Sequence, residues 1–276
     1  MKSKKYGTIL LEIVMIIIAL IFLYPIILVF YNSLKSFSEV MANVISLPKR
    51  LAFENYSYVW KFVDYPRLFL NNMIITVTGI LGIVFFGSLA AYKLSRTKTK
   101  YSFLVYLFCI IPMLIPFQTI MITVLKLAKQ LHLSDSDIGL GIQYWGFGAP
   151  MAVFIYHGFI KTIPKEIDES AIVDGASTTK MFFKIIFPLL KPVTSTIVVI
   201  DVMWIWNDFL LPLIMVNGKK QTKTLTLAAY SFVGQYITNW QYAMAAMILA
   251  VLPSILFFIF MQKNIVKGVT AGAVKG

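Results

Sequence analysis

The chain has 276 residues, 59% of them hydrophobic and 13% charged, with a mean hydropathy of +0.79. Soluble domains of this length carry about 25% charged residues, so the composition excludes an ordinary water-soluble fold and describes a polytopic membrane protein. The formal net charge of +13 invites a nucleic-acid reading, but the basic residues fall between apolar runs, where membrane topology accounts for them better than nucleic acid does.

Six runs are long enough to cross about 30 Å of hydrocarbon as helices. They are residues 9–31, 70–92, 101–125, 139–160, 193–216 and 243–262, and they predict an all-α integral membrane domain over residues 1–276. The start, MKSKKYG followed by Thr8 to Tyr31, imitates a signal peptide. Its apolar run is too long for a signal core and no small-residue cleavage site follows, so an uncleaved first span is expected. Prolines 25, 112, 116, 150, 212 and 253 lie inside the runs, where neighbouring helices and water can satisfy the backbone groups they free. The single Cys109 sits in an apolar run and reads as a small core residue.

Lysine and arginine orient the spans. With the N-terminus inside, fifteen basic residues fall in inner segments and ten in outer ones, and none lies within a span. The bias is strongest in the short segment 93–100, with Lys93, Arg96, Lys98 and Lys100, and it predicts both termini in the cytoplasm. The outer loop 32–69 gathers Tyr56, Tyr58 and Trp60, which suit either an interfacial aromatic belt or a surface that meets an external partner. Loop 217–242, with Trp240 near its end, invites the same two readings.

Three acids lie inside the runs. Glu12 is close enough to the inner end of the first to reach the interface. Asp201 and Asp208 cost more, about 2.5–3.5 kcal/mol for an aspartate at mid-span. Seven residues apart, they share one side of the fifth helix, either as buried hydrogen-bond anchors or as part of a path lining.

The longest polar stretch with a helical pattern runs from Pro164 to Pro192. Glu166, Asp168 and Glu169 follow Pro164, where a helix N-terminus favours acids. Ile163, Ile167, Ala171 and Ile172 recur at three- and four-residue steps and predict one small apolar face. Asp174-Gly175 predicts a stop, because glycine accepts the left-handed backbone of a C-cap. Ser177 predicts the cap of a second helix carrying Met181, Phe182, Ile185 and Ile186 and ending before Pro188. An amphipathic loop of this kind can lie on lipid headgroups. Its acidic first helix, however, is repelled by an anionic leaflet, and its small apolar side suits contact with a protein.

These residues carry a resemblance. Glu169-Ser170-Ala171, then Asp174-Gly175-Ala176, then Phe183 and Pro188, resemble the cytoplasmic signature loop of binding-protein-dependent ABC importer permeases. Ser170 departs from the alanine usual in that pattern, but serine is also small and the packing argument survives. WIWNDFLLPL at 204–213 is similar to the carbohydrate branch of these permeases. The ending QKNIVKGVTAGAVKG, Gln262 to Gly276, resembles the C-terminus of the smaller permease subunit of maltose-type importers.

The resemblance implies a type I ABC importer permease fold with a cytoplasmic coupling helix. Glu166, Glu169, Ser170, Ala171, Asp174, Gly175 and Ala176 would meet the ATPase, and Gly268, Gly272, Lys275 and Gly276 would lie in a tail that contacts it. It also implies a second homologous permease as heterodimer partner, an ATPase dimer that binds ATP and Mg, and an extracellular or periplasmic sugar-binding protein. The expected function is the membrane subunit of an ATP-driven importer that moves a carbohydrate, an oligosaccharide, by alternating access.

No GxxxxGK followed by serine or threonine is present, so the chain carries no phosphate-binding P-loop and cannot itself hydrolyse ATP by that route. The resemblance implies that hydrolysis is done by a separate subunit and that this chain binds no cofactor. Nor is there an HExxH, a Cys/His cluster or a GxSxG. With the topology above, Asn71, Asn72, Gln118, Gln143, Tyr144, Trp145, Asn207 and Asp208 fall in outer halves of spans, where amides and rings suit a sugar path. A proton-coupled transporter using Asp201 and Asp208 is the alternative, although no internal repeat is visible. A lipid head-group transferase reading Asp174-Gly175 as part of a metal site lacks the further aspartates it needs nearby.

Overall fold

The computed structural model describes residues 2–216, 218, 222–234 and 238–273, with side chains over 8–216, 218, 222–234 and 238–262. Among the described residues every extended element is helical, apart from one bridge between Val233 and Thr238. In chain order the helices are α1 (Lys2–Asn32), α2 (Phe37–Ala42), α3 (Glu54–Phe62), α4 (Tyr65–Arg96), α5 (Lys100–Ile110), α6 (Phe117–Gln130) and α7 (Asp137–Ile160). There follow α8 (Glu166–Val173), α9 (Thr178–Met181), α10 (Phe187–Leu189), α11 (Lys191–Asn207), α12 (Leu210–Met215), α13 (Leu225–Tyr230) and α14 (Trp240–Ala273).

Four stretches are single helices long and apolar enough to span a membrane: Thr8–Asn32, Tyr65–Arg96, Asp137–Ile160 and Trp240–Gln262. Two bent pairs bring the number up to six, Lys100–Leu114 with Phe117–Gln130 at 105° and Thr178–Leu189 with Lys191–Asn207 at 74°.

The third run, expected as one spanning helix over 101–125, is therefore broken. Ile111–Leu114 tightens into a 3-10 turn, and Ile115 turns extended (φ −92°, ψ 116°) ahead of Pro116, as a residue preceding proline prefers. The fifth run, 193–216, breaks as well, at Asp208 (φ −65°, ψ 140°). Pro212, four residues on, has no N–H for the Asp208 carbonyl and its ring would collide with it. At the other end of the chain, helix continues through Ala273, into what was expected to be a separate tail over 263–276.

Two compact units are present, residues 1–65 with 225–252 and residues 66–224 with 253–276. In the first, side chains 8–27 of α1 are all exposed. A helix apolar on every side and exposed along its length suits a hydrocarbon solvent. The segment after it is tightly ordered. Asn55 Nδ2 donates to the carbonyls of Ser33 and Lys35, both at 2.8 Å. Lys35 is fully buried, its Nζ donating to the carbonyls of Asn43 at 2.9 Å and Val44 at 3.3 Å. Ser36 and Glu39 form a capping box on α2, and the Ser36 backbone N–H holds the Glu39 carboxylate below its usual range. Tyr58 stacks on Tyr242 at 4.3 Å and Trp60 on Tyr65 at 4.2 Å, so these rings pack within the unit, Tyr58 and Trp60 staying exposed while Tyr65 is buried.

The second unit is organised by a seam of small residues. A Cβ on Gly141 would stand 2.6 Å from Thr78 Cβ and 3.0 Å from the Ile75 carbonyl, and one on Gly148 would run into Ile83. Close backbone approach is the usual basis of helix association in lipid, where apolar burial drives little. The seam buries Ile83, Leu140, Tyr144, Tyr156 and Ile160 completely, and Trp145 Nε1 crosses it to the Thr78 carbonyl at 2.7 Å.

Candidate functional site

The polar stretch 164–192 is held by side chains from the end of α4. Arg96 Nη1 donates to the carbonyls of Ile163 at 3.1 Å and Ile160 at 3.4 Å, sharing the latter with the Ile163 N–H, and so ties the end of α7 to α4. Its Nη2 lies 2.7 Å from Asp168 Oδ2. Tyr92, one turn earlier on the same face, donates its hydroxyl to Asp168 Oδ1 at 2.5 Å. Asp168 and Ala171, three residues apart, form the inner side of α8 and are 8% and 3% exposed.

The outer side of α8 carries Glu166, Glu169, Ser170, Ile172 and Val173, all exposed. Ile172 is 61% exposed and Val173 86%. The sequence pattern placed Ile172 with Ala171 on the inner face. The anchor at Asp168 sets the rotation instead, and one residue past Ala171 the chain has turned about 100° outward.

α8 ends as its sequence predicts. Gly175 adopts φ +74°, its N–H reaches the Ile172 carbonyl at 2.9 Å, and the Ala176 N–H reaches Ala171 at 3.0 Å. These two bonds form a Schellman motif. A Cβ at Gly175 would meet nothing within 4 Å, so the backbone alone demands glycine there. Asp174 and Gly175 are exposed and Ala176 half-buried. Ser177 then caps α9, its Oγ accepting from the Lys180 N–H at 3.3 Å. The second helix was expected to end before Pro188, yet it continues through it. Residues Phe182–Ile186 widen into a π turn, closed by the Phe187 N–H on the Phe182 carbonyl, and the shifted pairing accommodates a residue that has no N–H.

A second group surrounds the break at Asp208. Tyr144, fully buried, donates its hydroxyl to Asp208 Oδ2 at 2.8 Å, and Oδ1 accepts the Leu210 N–H at 3.1 Å. Asn207 Nδ2 donates to the Met203 carbonyl at 2.7 Å, and its Oδ1 accepts from Ser254 Oγ at 3.3 Å. Asn72 Nδ2 donates to the Trp206 carbonyl at 3.3 Å. Four expected path residues, Asn72, Tyr144, Asn207 and Asp208, are thus brought together. The others are placed elsewhere. Gln143 turns to the carbonyls of Leu133 and Gly139, both at 3.4 Å, Asn71 bonds the Lys223 carbonyl at 3.0 Å, and Gln118 is exposed on α6. Asp201 is buried on α11, about two turns before Asp208. In the expected tail, Gly268 and Gly272 lie in the backbone of α14, while Lys275 and Gly276 lie outside the described residues.

A family model described as binding-protein-dependent transport system inner membrane component matches residues 83–271, which contain α8, its anchor Arg96 and the Asp208 break. The chain belongs to that family. This inner membrane component is 40% identical over 260 residues to the probable starch degradation products transport system permease protein AmyC of Thermoanaerobacterium thermosulfurigenes, covering 94% of each chain. It is 37% identical over 262 residues to the melibiose/raffinose/stachyose import permease protein MelC of Bacillus subtilis, again covering 94% of each. To the multiple sugar-binding transport system permease protein MsmG of Streptococcus mutans it is 32% identical, over 93% of each. Its fold matches a chain of a bacterial ABC transporter involved in the import of the acidic polysaccharide alginate, with TM-score 0.78 over 95% of this chain and 98% of that one, at 20% identity. The expected all-α permease fold is therefore the observed one.

Reading the sequence missed the anchor. Arg96 entered only as a topological charge and Asp168 only as one acid of a first turn. The available signal was spacing: Tyr92 and Arg96 stand one turn apart, and Asp168 shares the step of Ala171. Val173, the most exposed apolar residue of α8, was also passed over.

Proposed function

We propose that this permease carries a carbohydrate, an oligosaccharide, inward by alternating access, driven by separate ATPase subunits that dock on α8. The observation that carries the reading is the helix itself: it is pinned by Arg96 and Tyr92 on one side and presents Glu166, Glu169, Ser170, Ile172 and Val173 on the other. Adjacent apolar groups exposed beside acids, on a helix outside the apolar spans, suit a surface that meets a protein partner. The cargo class follows from the sugars named for its relatives.

In this reading both termini and α8 face the cytoplasm, in line with the bias of basic residues at segment 93–100. The partners are a second, homologous permease, two ATPase copies holding ATP and Mg, and an external sugar-binding protein. Closure of the ATPases displaces α8, and the Arg96–Asp168 link passes that displacement to α4 and to the end of α7. The sugar crosses near the break at Asp208, where Asn72, Tyr144 and Asn207 gather. Gly268–Gly276 contacts the ATPase, and its deletion weakens assembly or regulation while leaving insertion intact.

The test is uptake of a labelled maltooligosaccharide by vesicles holding the complete transporter. Uptake that needs internal ATP, resists an uncoupler and is lost in Glu169→Lys at equal protein level supports the proposal. Uptake that runs without ATP and collapses with an uncoupler overturns it in favour of a proton relay through Asp201 and Asp208, a reading that finds no support in the relatives.

A further inference from the structure

A cavity of about 670 Å³ opens beside the lead-in to α8, between the turn joining α4 to α5 and the end of α7. Its rim is strongly basic. Lys98, Lys161 and Lys165 are exposed around it and make no ion pair among the described residues. Arg96 stands at the inner wall with its charge already matched by Asp168, and Glu166 is the single carboxylate in the lining. Three unmatched ammonium groups thus face one acid.

The N-terminus of α5 adds to this field. Thr99 caps it, accepting the Ser102 N–H on its side chain at 3.1 Å and the Phe103 N–H on its carbonyl at 3.1 Å. The N–H groups of Lys100 and Tyr101 are left pointing back past the helix start, as first-turn donors do. The rest of the lining sets the apolar side chains of Leu94 and Phe103 and the ring of Tyr106, stacked on His157 at 4.0 Å, among the small polar groups of Ser95, Ser102 and Thr162. Position matters too, because the cavity sits where two apolar helices end, α4 at Arg96 and α5 at Lys100. That is headgroup depth for any helix that fills the hydrocarbon core.

We propose that this cavity holds the phosphate headgroup of an anionic phospholipid, with the lysines on the phosphate and an acyl chain along Leu94, Phe103 and Tyr106. The proposal rests on the reading that these helix ends face the cytoplasm, where the anionic leaflet lies. A free phosphate would use the cations but leave the apolar side chains without a partner. The bound lipid ties the α4–α5 turn to segment 161–165, the chain that enters α8.

The complete transporter is placed in nanodiscs of phosphatidylcholine with a minor share of phosphatidylglycerol, and the lipid retained per complex after purification is counted by native mass spectrometry. Wild type is expected to retain phosphatidylglycerol over phosphatidylcholine, undisturbed by excess inorganic phosphate. Lys98→Gln/Lys161→Gln, two changes outside α8, is expected to retain roughly tenfold less at an unchanged melting temperature. Equal retention in the double variant overturns the proposal, and so does displacement by inorganic phosphate, which would identify a free-anion site. Sidedness is read separately with Lys98→Cys in a Cys109→Ser background. Labelling of Cys-substituted position 98 by an impermeant thiol reagent from outside the cell refutes the topology, whereas inside-only labelling with no lipid preference refutes the cavity alone.

Discussion

Asp168 of α8 and Arg96 of α4 stand 2.7 Å apart with side chains only 11% and 14% exposed, 72 residues apart in the chain. The other ion pair among the described residues, Arg50 with Glu54, is exposed at 3.7 Å and of the kind that contributes little. The buried pair fixes how α8 is rotated, and so which of its residues reach the surface. Removing one partner strands the other in a site poor in water, at a cost of about 3–5 kcal/mol. Asp168→Ala is expected to lower the melting temperature in detergent and to uncouple ATP hydrolysis from uptake. Arg96→Met/Asp168→Leu should recover much of the stability without recovering coupling. Wild-type melting and uptake in Asp168→Ala would refute the anchor.

Gly175 separates backbone geometry from space. Since a Cβ there has room, Gly175→Ala meets only the left-handed conformation, about 1–2 kcal/mol. Gly175→Pro also removes the N–H that closes on Ile172 and reverses the sign of φ. Both variants should reach the membrane in normal amounts, the alanine form keeping most uptake and the proline form losing it. Immunoblots of membranes beside uptake rates decide it, and full activity in Gly175→Pro is the outcome that counts against the turn.

The small-residue seam predicts a contrast between glycines of one helix. Gly141→Leu should cost about 1–3 kcal/mol or more by overpacking against Thr78 and Ile75. Gly146, on the same α7, has nothing within 4 Å of a Cβ, so Gly146→Leu should be near neutral in this subunit. Thermal unfolding of the purified protein compares the two, and similar losses would refute the packing account.

At the break near Asp208, Tyr144→Phe deletes the hydroxyl that donates to the half-buried Asp208 carboxylate, a charge-assisted bond worth about 1.5–3 kcal/mol, while the Leu210 N–H bond remains. Pro212→Ala restores the missing N–H and lets helix run on through Asp208. Uptake is expected to fall in both, with insertion normal. Reagent access to cysteines placed at Asn72 and Asn207 should change in Pro212→Ala, and unchanged access would remove the break from the path.

Much of this was legible in the residues. The apolar run at 9–31 falls within α1 and the run at 139–160 within α7, because hydrocarbon admits few solutions for a long apolar segment. The Gly175 cap and the Ser177 cap were legible because each rests on one residue acting within its own turn. What resisted reading was relational. Whether Pro112, Pro116 and Pro212 break a helix or only bend it depends on what neighbouring segments can satisfy, and Pro188 is absorbed by a π turn that no pattern in 178–190 announces. Asp168 could not be assigned to the inner face without knowing that Arg96, far away in the chain, arrives beside it.

Because the groups that hold α8 in place, Asp168 and Ala171, are distinct from those it shows, Glu169, Ser170, Ile172 and Val173, the two sets are free to vary separately. Exposed positions can accumulate substitutions without unfolding the helix. On the docking role proposed for α8, the same division offers a route to orthogonal transporters: exchanging the exposed positions alone is expected to redirect a permease to a different motor while its own interior stays as it was.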